Sequence, residues 1–451
     1  MICWRLLCVL LVLSSIHADP DTVESKVDPI ITCYVSTWAT YRPVGGKFDF
    51  SNVVPSLCSH LVYAFVGINP EDSSIKVLDP WNDLEDNGGK GAFQKYIQLR
   101  NVNKKLKVSL AVGGWNEGSA NYSVMAASPV RRKTFISSAV KMLREHGFDG
   151  LDLDWEYPTK RGGNAADREN FVLLVKELRQ AFDNESHSSG RRWLLTSAIG
   201  ASPDVIRSAY DLRSLSQHLD YLHIMSYDYH GAWEPVAGVN APLRGQSDED
   251  ELSVEKTLEL LLSSGAKKEK LLLGLPFYGH TFIASNVNEK PKLGSMTLKE
   301  GFSGPFTKEK GFMGYNEICA ELERNASYWS ISWDERSSTH YAVRDTHLIS
   351  YDDPKSIERK VRFGMKKNIA GMMVWSLDTD DFLGDCEKTT GYSKFPLLRT
   401  INKAVTAALQ EREHELAKNK KDHVKKNNSS RIKLNLKIMF PVLLIHQHVT
   451  F

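Results

Sequence analysis

Apolar residues gather along this chain in short unbroken runs, not in alternation with polar ones. The runs are Ile30–Trp38, Leu57–Ile68, Leu106–Trp115, Phe148–Tyr157, Trp193–Gly200, Tyr221–Asp228, Leu271–Gly279 and Ile369–Asp378. Most are rich in β-branched and aromatic residues, and continuous runs of this kind suit strands covered on both faces, as in a parallel sheet. Between most of them the period changes to that of a helix. Asp167–Phe182 places Phe171, Leu174, Val175 and Leu178 on one stripe, and Val130–His146, Val254–Gly265 and Ser356–Lys367 are patterned similarly. Strands alternating with helices in this number predict an α/β fold, a (β/α)8 TIM barrel.

One interval breaks the rhythm. About ninety residues separate the seventh run from the eighth, far more than one helix and two loops require. Short β-like pieces such as Tyr328–Trp333 and Thr339–Val343 lie within it. The stretch 281–350 is therefore expected to be a small inserted α+β subdomain at the barrel rim, raising one wall of a groove.

The two ends differ from the middle. Arg5 precedes the apolar run Leu6–Leu13, and Ser14, Ser15 and Ala18 follow it, which predicts a cleaved secretory signal over residues 1–18. The run is too short for a transmembrane helix, which takes roughly 20 residues. After Leu409 the chain becomes highly charged, with Lys418, Lys420, Lys421, Lys425 and Lys426, and it closes on an apolar stretch around Ile438–Ile445. Small residues before an apolar end resemble a lipid-anchor signal, but the polar spacer is short and His446 and His448 interrupt the tail. The expectation is a barrel domain over 28–407 and a dispensable, basic, low-order tail over 408–451.

Composition narrows the function by exclusion. The 451 residues are 42% hydrophobic and 25% charged with a net charge of +2, so no overall basic excess points to a nucleic-acid partner. Cys3 and Cys8 fall in the signal, leaving Cys33, Cys58, Cys319 and Cys386. An even number in an oxidising compartment predicts two disulfides, among three possible connectivities. None of the spacings is that of a zinc site, and no metal or other cofactor is expected. Glycosylation acceptors at Asn121, Asn184, Asn325 and Asn427/Asn428 agree with export.

The chemistry concentrates in Phe148-Asp149-Gly150-Leu151-Asp152-Leu153-Asp154-Trp155-Glu156-Tyr157-Pro158. On a strand alternate side chains share a face, so Asp152, Asp154 and Glu156 point into the barrel while Leu151, Leu153 and Trp155 point outward to the helices. Carboxyls about 6–7 Å apart cannot all ionise in a buried row, so one must hold a proton near neutrality. That is the property of a general acid. Glu156 lies nearest the C-terminal end of its strand, where barrel active sites form, and is the natural acid. A structural ion cluster would need basic partners, which this segment does not supply. Asp149 falls out of the row and is expected to help end the preceding turn.

This segment resembles the DxxDxDxE signature of glycoside hydrolase family 18, the family of many chitinases and of related chitin-binding proteins. Ser109-Leu110-Ala111-Val112-Gly113-Gly114-Trp115 is similar to its third-strand motif. Met225-Ser226-Tyr227-Asp228 and Gly371–Asp378 resemble its sixth- and eighth-strand motifs, and Cys33–Trp38 and Gly274–Gly279 match as well. The likeness spans roughly Ile30 to Ala407. It implies that Glu156 protonates the glycosidic oxygen, that Asp154 holds the N-acetyl nitrogen with Asp152 beneath it, and that Tyr227 bonds the acetyl oxygen. Trp375 would form the floor at the cleavage point, with Met225, Asp228 and Tyr278 lining the same pocket. Gly114 belongs to the third-strand motif, Trp115 and Trp233 would stack flanking sugars, and Tyr34, Trp38 and Phe65 would line the barrel end. The resemblance also implies Cys33–Cys58 and Cys319–Cys386 as the bridges.

Strand-end aromatics are often core, which is the expectation for outward-facing Trp155. Trp115 and Trp375 end barrel strands and Trp233 follows Tyr229-His230-Gly231-Ala232 in a loop, so sugar stacking is expected of these. The chain departs from the family at His280, where arginine is common, and a histidine cannot make the same bidentate fork. The tail holds no cysteine and so no Cys-rich chitin-binding module. Taken together the sequence predicts a secreted, monomeric endochitinase acting on chitin and its oligosaccharides. A non-catalytic chitin lectin is the competing class, and retention of Glu156, Asp154 and Tyr227 argues against it; a third reading, cleavage of the chitobiose core of N-glycans, is opposed by the large insertion and flanking aromatics.

Overall fold

The structure is a computed structural model that describes residues 30–443. The signal segment, Cys3 and Cys8, and the residues beyond Leu443 lie outside the described residues. The barrel strands are β1 (Ile30–Ser36), β2 (His60–Ile68), β3 (Lys107–Gly113), β4 (Gly150–Asp154), β5 (Leu194–Gly200), β6 (Tyr221–Met225), β7 (Leu271–Pro276) and β8 (Gly371–Trp375). Each pairs in parallel with its neighbour in sequence, and β8 closes on β1 through Ile30 opposite Gly371 and Cys33 opposite Val374. All eight predicted runs are strands, and every one is shorter than its apolar run.

Two cores follow from the alternation along these strands. Leu151 and Leu153 of β4 join Leu195, Leu222 and Leu273 in the layer between barrel and helices. Trp155 belongs there too, stacked 4.9 Å from Tyr122 and edge-on to Phe171. The barrel interior is a separate cluster of Tyr34, Val62, Ala64, Ala111, Tyr227, Leu272, Tyr278 and Met373. Each large side chain buried in these layers contributes about 1.5–3 kcal/mol relative to its exposed state.

The helices sit where the periodicity put them, at Pro129–His146, Asp167–Ser189, Val254–Ser263 and Pro354–Lys366. Their ends have local causes: Ser128 caps the first and Gly147 ends it at φ 81, while Asp353 caps the last.

Three expectations are corrected. The insertion begins earlier than residue 281. Pro276 ends β7, Phe277 donates its N–H to Trp375 O at 2.7 Å, and the chain enters a new strand at Tyr278–Ile283. That strand belongs to an antiparallel sheet with Phe312–Gly314, His347–Tyr351, Thr339–Arg344 and Ser330–Asp334, so the subdomain spans 278–351. Asp149 does more than end a turn. It is buried, accepts from Val108 N and Arg100 Nη1 at 2.9 Å each, and also pairs with Arg191, tying the starts of β3 and β5 together. The tail read as low-order is continuous with the last barrel helix, Pro396–Leu443. Lys, Glu, Leu and Ala, all strong helix formers, fill it.

Cys33 is bonded to Cys58 and Cys319 to Cys386, the second link pinning the insertion to the segment after β8. The cluster with metal-ligand spacing found among the described residues is Cys319, Asp381 and Cys386, whose two sulfurs are bonded to each other. No helix among the described residues is long and apolar enough to cross a membrane.

The last helix packs on the barrel through Leu397, Ile401 and Val405, with Ala408 and Leu409 partly buried. Beyond Glu411, which pairs with Arg362, side chains through Asn419 are exposed. A chain ending after Glu411 is expected to keep the thermal unfolding midpoint of the full chain. A marked fall in that midpoint would show that the tail completes the barrel.

Candidate active site

The acids of β4 rise in a buried row. Asp152 is fully buried and saturated by long-range partners: it accepts from Tyr34 Oη at 2.6 Å and Thr196 Oγ1 at 2.5 Å, with His223 Nδ1 at 3.2 Å. Tyr34 Oη also meets His223 Nδ1 at 2.8 Å. The partner that the segment itself lacks thus comes from β6, where the His223 imidazole meets the lowest of the three acids. Asp154, above it, is also buried, and its Oδ1 has no hydrogen-bond partner among the described residues. Burial, then the charges of Glu156 and Asp152, push the Asp154 carboxyl well above the usual range. A buried acceptor without a partner is costly in a settled core and useful in a binding site.

Glu156 stands two residues beyond the last strand residue, Asp154, and is 8% exposed. Its carboxyl is pushed up to about 7, chiefly by burial and further by Asp228, while a Tyr157 hydrogen bond and the Arg161 charge hold it down. Three groups on one face therefore have three environments: saturated, unpartnered and near-neutral in pKa. This is the separation that lets one carboxyl donate a proton while its neighbour accepts a hydrogen bond.

The walls come from other strand ends. Tyr227 is buried, and among the described residues its Oη meets only the Met373 sulfur, at 3.9 Å. Asp228 turns out of β6 at φ 56 and accepts from Tyr278 Oη at 2.6 Å and His280 Nε2 at 2.8 Å. Tyr278 stacks on Phe312 of the insertion, 4.4 Å between ring centroids. Met225 ends β6, packed partly buried against the interior cluster.

Trp375 ends β8 as one ring of an aromatic trough. Phe65 is stacked 5.8 Å from it, Tyr34 lies at 5.6 Å, and Trp38 at 6.2 Å stacks in turn on Phe65. Gly114, at φ 84, is where any Cβ would strike the Phe65 ring at 2.6 Å, so the aromatic lining requires glycine there. Trp38 at the trough and Trp115 and Trp233 beyond it remain 46%, 58% and 56% exposed, in contrast to core Trp155 at 1%. Exposed indoles flanking a cleft suit the apolar faces of sugar rings.

His280 takes a definite place. Its Nε2 faces Asp228, its Nδ1 faces Gly311 O at 2.7 Å, and its ring is edge-on to Trp233 at 5.2 Å. Burial lowers its pKa, but the Asp228 hydrogen bond and charge outweigh that and raise it. The histidine thus bridges Asp228 and the Gly311 carbonyl, one ring nitrogen to each, without the bidentate fork of an arginine.

Sequence reasoning missed several residues of the site. His223 is a lone polar position between Leu222 and Ile224, a signal that could have been read, while Thr196, beside Ser197, stands out less. Tyr41 and Trp81, both exposed and stacked 6.4 Å apart, extend the row of surface aromatics beside Trp38. Nothing local marked them.

Residues 30–380 match Glycosyl hydrolases family 18. The chain is 47% identical over 433 residues to Probable chitinase 2 of Drosophila melanogaster, covering 90% of this chain and 87% of that one. Its fold superposes with a TM-score of 0.78 on the Group IV chitinase of Ostrinia furnacalis, at 42% identity, covering 84% of this chain and 100% of that one. Human YKL-39, described as a pseudo-chitinase with retained chitooligosaccharide binding, aligns at 32% identity with a TM-score of 0.75, over 84% of this chain and 100% of that one.

Proposed function

The chain belongs to glycosyl hydrolases family 18, and from that premise we propose that it is a secreted endochitinase, hydrolysing β-1,4-linked N-acetylglucosamine polymers with retention at the anomeric carbon. The observation that carries this reading is Glu156: a carboxyl raised to about 7, at the mouth of a barrel, directly above an unpartnered Asp154 and between exposed aromatics. In the proposed reaction Glu156 delivers its proton to the glycosidic oxygen. Asp154 accepts a hydrogen bond from the substrate's N-acetyl N–H, Tyr227 Oη donates to the acetyl oxygen, and Trp375 floors the sugar at the cleavage point. Asp152, held by Tyr34, Thr196 and His223, lies below Asp154 and adds to the burial and the Glu156 charge that push the Asp154 carboxyl up.

The decisive experiment is incubation with soluble chitin oligosaccharides of increasing length, with product sizes resolved. Internal cleavage supports the endo-acting enzyme. Binding without any cleavage would move the chain to the second reading, a chitin-binding lectin, which the likeness to human YKL-39 keeps in view. The retained acid favours the enzyme, because a lectin has no use for a positioned proton donor.

The same reading fixes a pH dependence. The reactive form of Glu156 is the protonated one, so activity is full below its pKa and falls as pH climbs through about 7. The alkaline limb of kcat/KM on an oligosaccharide should report that value. A profile that stays flat well above neutrality would mean that a different group supplies the proton.

A further inference from the structure

The turn after the acid carries a side chain that neither the fold nor the proposed chemistry has used. Arg161 stands at φ 49, a left-handed conformation that residues with a Cβ rarely adopt. Its guanidinium lies over the Trp115 ring, 3.5 Å from the centroid. The same group's Nη1 donates to Trp115 O at 2.9 Å and to Glu156 O at 3.0 Å. One cation thus joins an exposed aromatic of the groove to the backbone of the acid.

The two loops that it bridges are otherwise sewn together beneath it. Gly114 N donates to Asp154 O at 2.8 Å, Trp155 Nε1 donates to Ser119 Oγ at 3.0 Å, and Ser119 Oγ donates to Tyr157 O at 2.6 Å. Those bonds fix the backbones, but none of them touches the Trp115 ring. That ring is more than half exposed, and without a neighbour its side-chain torsions would be free among rotamers. Arg161 covers one face of the indole and leaves the other to a sugar.

We infer that Arg161 is a positioning residue for the groove, locking Trp115 in one orientation as a sugar platform and so setting the affinity for oligosaccharides that extend past the cleavage point. The inference deepens the chitinase reading and rests on it for the identity of the ligand. Arg161 has a second, electrostatic consequence. The Glu156 carboxyl is pushed up by burial and by Asp228 and shares the site with Asp154, Tyr157, Tyr210 and Tyr227; the Arg161 charge acts in the opposite sense. A neutral residue at this position should therefore leave Glu156 protonated to a higher pH.

The test compares wild type with Arg161→Gln, Arg161→Lys, Arg161→Gly, Trp115→Ala and the double variant Arg161→Gln/Trp115→Ala. Arg161→Gly removes the guanidinium while relaxing the left-handed backbone, so a defect there is not one of strain. On a chitin hexasaccharide, Arg161→Gln and Arg161→Gly are expected to raise KM about three- to tenfold, with a smaller change in kcat. Adding Arg161→Gln to Trp115→Ala should cost little more than Trp115→Ala alone. The alkaline limb should move upward in Arg161→Gln and stay in place in Arg161→Lys, which keeps the charge but lacks the planar fork. Unchanged KM in both Arg161→Gln and Arg161→Gly, or full additivity with Trp115→Ala, would overturn the inference. Calorimetric binding of the same hexasaccharide is read in parallel. If wild type binds but does not cleave, the enzyme reading falls while the Arg161–Trp115 coupling is still measured in Kd.

Discussion

Glu156→Gln is expected to abolish practically useful hydrolysis of chitin oligosaccharides, lowering kcat by at least about 10²–10⁴, while leaving the fold and sugar binding in place. Glutamine has nearly the same shape as the protonated acid and can donate a hydrogen bond to the glycosidic oxygen. It cannot complete the transfer, so the leaving sugar would depart as an alkoxide. The substitution also removes the carboxyl whose charge helps to push Asp154 up, so that Asp154 should ionise more readily in the variant. The fold should tolerate it well, since the neutral amide replaces a carboxyl that is already costly to ionise. Kinetics on oligosaccharides and binding by calorimetry should part company in this protein. Turnover near the wild-type rate would remove Glu156 from the role of acid.

Much of this arrangement was legible because it is local. The row Asp152, Asp154, Glu156 follows from a two-residue period on one strand, and the barrel follows from the succession of buried runs. The strand ends were less legible, for a physical reason. Trp115, Asp228 and Trp375 lie in apolar runs where the chain leaves the ladder, Asp228 at φ 56, so the resemblance and their strand-end position, not the apolar pattern, pointed to the groove. The start of the insertion was hidden in the same way, since Tyr278 and Gly279 continue an apolar run while the chain passes to a different sheet after Pro276.

What sequence alone could not give is pairing at long range. Tyr34, Thr196 and His223 reach Asp152 from three other strands, the nearest of them 44 residues away. Asp149 shows the same limit: it looked like a turn residue because its partners Arg100 and Arg191 lie at the ends of other segments. His280 was visible as a departure, but its partners, Asp228 and the Gly311 carbonyl, come from distant segments and could not be read from the sequence.

The largest consequence concerns how the glycosidic bond is broken. A retaining enzyme with two carboxylates needs a nucleophile on the face of the sugar opposite the acid. The acids beside Glu156 are Asp154 and Asp152, on the same strand and below it, and Asp228, whose Oδ1 is held by Tyr278 Oη and His280 Nε2. Asp152 is saturated by Tyr34, Thr196 and His223, and Asp154 is pushed strongly toward its neutral form. Neither is placed or charged to attack the anomeric carbon from the far side. The substrate's own acetamido carbonyl can reach that side if it is held in an attacking geometry, and Asp154 and Tyr227 present the two polar atoms that would hold it. The expected course is closure to a cyclic oxazolinium ion as Glu156 protonates the leaving oxygen, then attack by water deprotonated by the same Glu156. The initial product should therefore be the β-anomer by NMR. Fully deacetylated chitosan and cellulose, which lack the participating group, should be cleaved slower by at least about 10³, roughly the loss of a well-oriented internal nucleophile. Asp154→Asn should also fall by about 10²-fold or more, because the amide, unlike the carboxyl, cannot ionise to stabilise the positive charge that develops on the acetamido group. An α-anomeric first product, or brisk cleavage of cellulose, would exclude participation by the acetamido group while leaving the barrel and its acid as described.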